Sequence, residues 1–493
     1  MECDNRTRSG VGYSQGEERL VGSPCPGKPG DGSQSDGTVK YEGASLAIAI
    51  GREGARFAQS TSSTAQLPNN GLTSISWFVA FQEHGIGIYR LEGANAVFVD
   101  SVRLINDFYT RFKVSPAAYY SRFIKLEERT NPNVCTGSRK KKRKRSDCEL
   151  NARELCAEKR HQEARPFLLK AYEAFLEHKN LLSFVFKPRN DGCYSARTEN
   201  MSQLREESEI SFVDLGGVWQ APLYEMSLRF WKKDKLAKDD DLWFSECGEE
   251  MKVPIFNNLV FNDTVDDAEG EFLGKVYVIP RMSSFHMSDM TRIHDLVPDQ
   301  SDHGFNFIVI DPPWENGSAR QKRMYPTLPN RYFLSLPVKQ LSHPEGALLA
   351  LWVTNKEKLR VFVENELFPA WGITNVSCFY WLKVKPDGSL VSELDLFHHR
   401  PYECLLVGYC CRKGKADNLT IDKLLPDYEV IISIPGDYSR KPPIGKLLLD
   451  YVPGPKPARC IELFAREVAA GWTSWGNEPL RFQELKYFTN SKE

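Results

Sequence analysis

A carboxylate, two prolines and a tryptophan, Asp311-Pro312-Pro313-Trp314, close the apolar run Phe305-Asn306-Phe307-Ile308-Val309-Ile310. Pro312 pushes Asp311 towards an extended conformation, and the two prolines fix φ and remove two backbone donors. What is left is an acidic side chain and a row of carbonyl acceptors on a stiff turn. An acceptor-only corner suits a donor-rich group such as an exocyclic NH2. In adenine the lone pair of that nitrogen is delocalised into the ring, so it is a poor nucleophile. Accepting both N–H groups, through the Asp311 carboxylate and the Pro312 carbonyl, would aim the nitrogen at an electrophile and stabilise the positive charge that develops. Trp314 offers a face for stacking a base drawn out of its strand. On the turn alone, a core strand with Trp314 packed inside is the commoner arrangement.

The run before Asp311 is short, β-branched and nearly unbroken, as in a parallel strand buried on both faces. Ligands of open α/β sheets bind at the carboxyl ends of such strands. Leu348–Val353 reads as the next buried strand, with Trp352 in the core and Asn355 at its end; Cys404–Gly408 and Cys460–Leu463 read as further strands. Upstream, Ile86–Tyr89 looks strand-like and Val97–Tyr120 partly helical. Residues 148–180 read as helices, with Leu168, Ala171, Tyr172 and Phe175 at core-facing spacing. Residues 1–70 are poor in aromatics and predicted disordered; 71–250 are expected to form an α+β accessory domain, and 251–493 the catalytic domain.

Within the accessory region, 139–145 is a run of seven consecutive cations, Arg139 to Arg145. It predicts an exposed linker that serves as a nuclear-import signal or a nucleic-acid patch. Over all 493 residues, 64 Lys+Arg balance 65 Asp+Glu, which excludes a uniformly basic coat and leaves nucleic-acid contact to local patches. The 12 Cys are scattered without a Cys-x-x-Cys pair, which together with the absence of a signal peptide or a long apolar run predicts a soluble intracellular protein with reduced thiols and no membrane contact. His398-His399 cannot share one ligand face and has no evident third ligand, so no metal site is expected.

Asp311-Pro312-Pro313-Trp314 after an apolar strand resembles the signature of the mRNA-adenosine-type N6-methyltransferases, the MT-A-seventy family. Similar phrases follow in family order: Ser283-Ser284-Phe285, His398-His399-Arg400-Pro401-Tyr402-Glu403, Lys441-Pro442-Pro443 and Gly471-Trp472-Thr473-Ser474-Trp475-Gly476-Asn477-Glu478. The resemblance spans roughly Ser283 to Tyr487 and is strongest to the methyltransferase-like protein four branch. It implies a Rossmann-like, S-adenosylmethionine-dependent methyltransferase sheet, permuted so that the catalytic strand precedes the cofactor strand.

By that resemblance, Asp311, Pro312, Pro313 and Trp314 form the catalytic turn, and Tyr325, Glu403 and Lys441 bind substrate. Asp289, Met290, Asp311, Lys441, Phe464, Arg466, Asn477 and Glu478 would hold the cofactor. Asp289 also reads as an N-cap of a short helix Thr291–Leu296. The turn Phe464-Ala465-Arg466 lacks the glycine-rich loop of dinucleotide folds. The implied reaction is methyl transfer to adenine N6 in nucleic acid, and the basic run places it in the nucleus, with the cytosol as a second location. RNA is favoured, a small nuclear RNA carrying adenosine or 2′-O-methyladenosine. DNA adenine and a catalytically silent nucleic-acid-binding role are the alternatives.

Overall fold

The computed structural model describes residues 87–123, 150–186, 210–231, 250–299, 303–315, 327–397, 399–411 and 423–490. The expected disordered tail 1–70, the basic run 139–145, Tyr325 and His398 lie outside the described residues.

Among the described residues one mixed sheet of eleven strands dominates. Its centre is Phe307–Ile310, paired in parallel with Ala347–Val353 on one side and Cys460–Leu463 on the other. Trp472–Gly476 and Ser283–Met287 continue the sheet in parallel beyond Cys460–Leu463. On the opposite side Tyr402–Cys410 runs antiparallel to Ala347–Val353, and Ile373–Lys383 runs antiparallel to it in turn.

Residues of the central strands alternate between two cores. Ile308, Ile310, Leu349 and Leu351 enter a cluster with Phe333 and Trp371, whereas Phe307, Val309, Leu348 and Ala350 meet Ile444, Leu448 and Trp381. Both faces are therefore covered, which is why these segments read as apolar runs rather than as alternating ones. With both faces closed, only the strand ends remain accessible to a ligand, and Asp311 sits at such an end.

The segment expected to form a separate accessory domain is built into this architecture. Ala96–Val99 pairs in parallel with Tyr428–Ser433, and Ile88–Leu91 completes the edge as its antiparallel partner. Within Val97–Tyr120 the structure has two short helices, Ser101–Asn106 and Pro116–Tyr119, with the strand Phe112–Val114 between them pairing with Phe488–Asn490. The helix Ala152–Glu177 starts at a capping box made by Asn151 and Glu154. Its buried stripe includes His161, Leu168, Ala171 and Phe175, and Phe167 stacks on Tyr428 at 3.9 Å.

The boundary expected near residue 250 needs correction. A four-stranded antiparallel sheet, Glu225–Arg229, Glu250–Pro254, Ala268–Phe272 and Lys275–Ile279, runs across it. Contacts group the described residues, which lie between 87 and 490, as one compact unit. Strand pairing joins segments far apart in the chain, so a local change of composition does not mark a seam. No helix among the described residues is long and apolar enough to cross a membrane.

Candidate active site

Asp311 follows directly on the central strand, and its N–H donates to the Leu463 carbonyl at 3.3 Å. The proline turn then closes on itself: the Trp314 N–H donates to the Pro312 carbonyl at 2.7 Å, and Leu328 N–H to the Pro313 carbonyl at 3.1 Å. One lone pair of the Pro312 oxygen is thus used internally and one is left for a ligand. Trp314 itself is only 5% exposed, donates its indole N–H to the Trp352 carbonyl at 2.8 Å and packs edge-on against Phe333. The expected stacking face is therefore corrected: Trp314 stiffens the wall behind the turn.

A cleft of about 740 Å³ opens at this strand end. It brings together Asp289, Met290, Asp311, Pro312, Pro313, Trp314, Glu403, Lys441, Phe464, Arg466, Asn477 and Glu478 from distant parts of the chain. Of the anticipated site residues only Tyr325 is not placed, being outside the described residues. Asn355 does not line the cleft; its amide donates to the Tyr402 carbonyl at 2.5 Å and so ties two strand ends together.

Charge is concentrated at Asp311. Lys441 Nζ lies 3.2 Å from one Asp311 oxygen and 3.3 Å from Glu403, whose other oxygen pairs with Lys383. Arg466 approaches the second Asp311 oxygen at 3.7 Å, which is an ion pair but too long for a hydrogen bond. That oxygen keeps its acceptor capacity. Burial pushes the Glu403 carboxyl up, but Lys383 and Lys441 outweigh it and hold it down at about 2. Glu403, with both oxygens on lysines, orients Lys441. Burial lowers Lys441, while Asp311 and Glu403 raise it by more, so it stays a cation. Lys383 was not picked out in the sequence; burial drives its ammonium down from the usual range against the pull of Glu403.

Arg440 and Lys441 are adjacent but differ in role. Arg440 is buried, paired with Glu467 and held between the rings of Tyr119 and Phe482, at 4.4 and 4.2 Å from their centroids. Lys441 alone reaches the cleft.

The turn after Cys460–Leu463 achieves closeness without a glycine-rich loop. Phe464 adopts φ 63°, and a Cβ on Gly476 would sit 2.9 Å from the Ala465 carbonyl oxygen. The tight approach is thus paid on the neighbouring strand, where Gly476 lets Ala465 N–H donate to the Trp475 carbonyl at 2.8 Å. Asp289 caps the short 3-10 helix Met290–Leu296, accepting from Thr291 N–H at 2.8 Å. Glu478 pairs with Arg481 at 2.7 Å.

A second cleft of about 700 Å³ shares the wall Asp311, Trp352, Lys441, Phe464 and Arg466 and contains Glu462. Glu462 makes no hydrogen bond or ion pair among the described residues. Burial, with Glu467 and Asp311 nearby, pushes its carboxyl up to about 8. An acid without a side-chain partner at a cavity wall is free to take a hydrogen-bond donor or a cation from a ligand. The signal that would have found it is an acidic residue inside an otherwise apolar strand.

The family description MT-A70 matches residues 305–478, which include all of the Asp311–Trp314 turn and most of the cleft. A mouse protein, "N(6)-adenine-specific methyltransferase METTL4", is 32% identical over 360 residues, covering 71% of each chain. The Pyricularia oryzae "N6-methyladenosine RNA methyltransferase MTA1" is 34% identical over 229 residues, 44% of this chain and 57% of its own. The Caenorhabditis elegans "DNA N6-methyl methyltransferase" is 32% identical over 231 residues, again 44% of this chain and 57% of its own. The chain belongs to the MT-A70 family.

Proposed function

We propose that this site transfers a methyl group from S-adenosylmethionine to N6 of an adenine in RNA. An N6-adenine methyltransferase acting on nucleic acid is what the family and its relatives support. The cofactor, the RNA acceptor, the nuclear setting and the individual residue roles are this reading's additions. The observation that carries it is the Asp311–Lys441–Glu403 chain of charges at the end of a doubly covered strand, beside a cleft roomy enough for a nucleotide.

The residues fit the cofactor. The unpartnered Glu462 suits its ammonium, Lys441 and Arg466 its carboxylate, Asn477 and Glu478 its ribose, and Asp289 and Met290 its adenine. S-adenosylmethionine supplies an electrophilic methyl on a sulfonium. The free acceptor capacity of Asp311 and the remaining lone pair of Pro312 hold the two N–H groups of the acceptor amine. The Asp311 negative charge then stabilises the nitrogen as it becomes cationic. Lys441 keeps Asp311 ionised and in place, and Glu403 keeps Lys441 in place. We read the sheet as Rossmann-like, with the catalytic strand preceding the cofactor strand in the chain. RNA rests on the fungal relative's name and the basic run 139–145, and the nematode relative's name supports DNA.

The test incubates the full-length protein with labelled cofactor and equal amounts of structured RNA, single-stranded DNA and duplex DNA, followed by nucleoside analysis. N6-methyladenosine, or its 2′-O-methyl form, is expected from RNA; product from DNA alone would overturn the acceptor. Asp311→Ala is expected to keep cofactor binding and lose turnover by roughly a hundredfold or more. Retained turnover would remove Asp311 from its role.

A further inference from the structure

The cleft's aromatic residues fall into two groups. Trp314, Trp352 and Trp475 are buried in its walls and Phe464 is half-buried, whereas Tyr332 and Tyr438 are exposed at its edge, and of these two only Tyr438 stands on a left-handed turn. The backbone that carries Tyr438 is unusual: Tyr438 (φ 54°, ψ 31°) and Ser439 (φ 60°) are consecutive left-handed residues, and neither is glycine. Such conformations are costly and persist only where the surroundings over-determine them, as they do at active sites, ligand clamps and switch regions.

Here the surroundings are explicit. Arg466 donates to the Tyr438 carbonyl at 2.7 Å and to the Ser439 carbonyl at 3.3 Å while also facing Asp311 at 3.7 Å. On the other side, the Asp437 carboxylate accepts from Arg122 N–H at 2.9 Å and from the Ser121 hydroxyl. The Arg481 guanidinium lies 4.9 Å from the Tyr438 ring centroid, fixing the ring as well as the backbone. One arginine therefore links the turn to the catalytic carboxylate.

We propose that Tyr438 is the stacking platform for a base of the acceptor strand, and that its strained turn is held ready for that base by Arg466. A phenol ring presents a π-face to any base, and a pre-set turn spares the ordering cost on binding. This rests on the nucleic-acid reading above and names a contact that reading leaves open, since Trp314 is packed in the wall.

The experiment measures binding of a fluorescent, adenine-containing single-stranded RNA to the full-length protein by anisotropy, with saturating S-adenosylhomocysteine. Affinity for S-adenosylhomocysteine is measured separately by calorimetry. Tyr438→Ala and Tyr438→Leu are expected to weaken RNA binding roughly 5- to 150-fold, the range found when a stacked aromatic is removed. Tyr438→Phe is expected to stay within about twofold, and all three to keep their affinity for S-adenosylhomocysteine. Should Tyr438→Ala fail to fold, the Leu and Phe variants decide. Wild-type-like RNA binding by Tyr438→Leu would show that the ring only packs, and a selective loss of S-adenosylhomocysteine affinity would place it over the cofactor; either result overturns the proposal. Failure of the underlying reading looks different: the wild type then methylates none of the acceptors, whatever the Tyr438 variants bind.

Discussion

Glu462→Gln isolates the least expected group in the site. The carboxyl is raised to about 8 by burial and by its neighbours Glu467 and Asp311. At pH 7 a group of that pKa is protonated in about nine molecules out of ten. If the cofactor's ammonium is its partner, binding requires the carboxylate and must expel that proton. The expected release at pH 7 is about 0.9 proton per cofactor bound, and it shrinks as pH rises through 8, above which the carboxyl is already ionised and the cofactor's own amine begins to lose its proton. Calorimetric titrations in two buffers of different ionisation enthalpy read this number directly, because the released proton is taken up by the buffer. Glu462→Gln is nearly isosteric and is expected to abolish the release while weakening binding roughly tenfold or more.

Stability supplies an independent arm. The folded-state pKa lies above the unfolded value of 4.5, the reverse of the usual carboxylate case. The native apoprotein therefore holds the extra proton between about pH 4.5 and 8, and its stability falls as pH rises through that window. Glu462→Gln should flatten this decline. A wild type that binds cofactor at pH 7 with no proton release, or a Gln variant with the wild-type proton count, would refute the reasoning.

Three further outcomes are expected. Lys383→Met removes one of the two cations on Glu403. Because Glu403 is depressed to about 2, its stabilising contribution in the wild type is present above the unfolded value of 4.5 and is lost as pH falls towards 2; with one cation removed the folded value rises towards 4.5, so urea melts from pH 3 to 7 should show a shallower loss below pH 4.5 in the variant, and an unchanged profile would remove Lys383 as its partner. Gly476→Ala places a Cβ 2.9 Å from the Ala465 oxygen, so a loss of about 1–3 kcal/mol in chemical denaturation and weaker cofactor binding are expected. His161→Ala strips a buried ring from the Tyr402 hydroxyl at 3.1 Å and from Asp395 at 3.0 Å. It is expected to cost about 1–3 kcal/mol and to lower turnover, because Tyr402 precedes Glu403 in the same strand; a stability loss with unchanged turnover would confine His161 to the scaffold.

The readable part of the site was the part written in contiguous residues. Asp311 announces itself by a buried strand running into two prolines. Phe464, Arg466 and Lys441 stand out only through the family resemblance of the phrases that contain them. Glu462 and Lys383 were silent because their meaning comes from partners elsewhere in the chain. Glu462 is a lone acid until Asp311 is brought alongside by strand pairing, and Lys383 is one more lysine until Glu403 lies across from Trp381 on the adjacent strand. Trp314 misled for the same reason: its packing partner Phe333 belongs to a later turn. The fold's centre was legible because burial on both faces leaves an apolar run. Its edges were not, since Ala96–Val99 finds Tyr428–Ser433 across more than three hundred residues.

The integration of the amino-terminal segment bears on how the site is held. Ser121 and Arg122 fasten Asp437, and Tyr119 lies against Arg440, so the turn bearing Tyr438, Ser439 and Lys441 is gripped from outside the strands that carry the chemistry. The helix Ala152–Glu177 does the same for the other carboxylate. Arg400 donates to the Ala157 carbonyl at 3.1 Å and pairs with Glu158 at 2.6 Å, while His161 meets Tyr402, all within a few residues of Glu403. Lys441 and Glu403 pair with each other across the cleft, yet each is set by a different amino-terminal element. The pairing of charges onto Asp311 therefore depends on both elements being docked, and under the proposed function this makes the amino-terminal segment a contributor to the orienting of the acceptor amine.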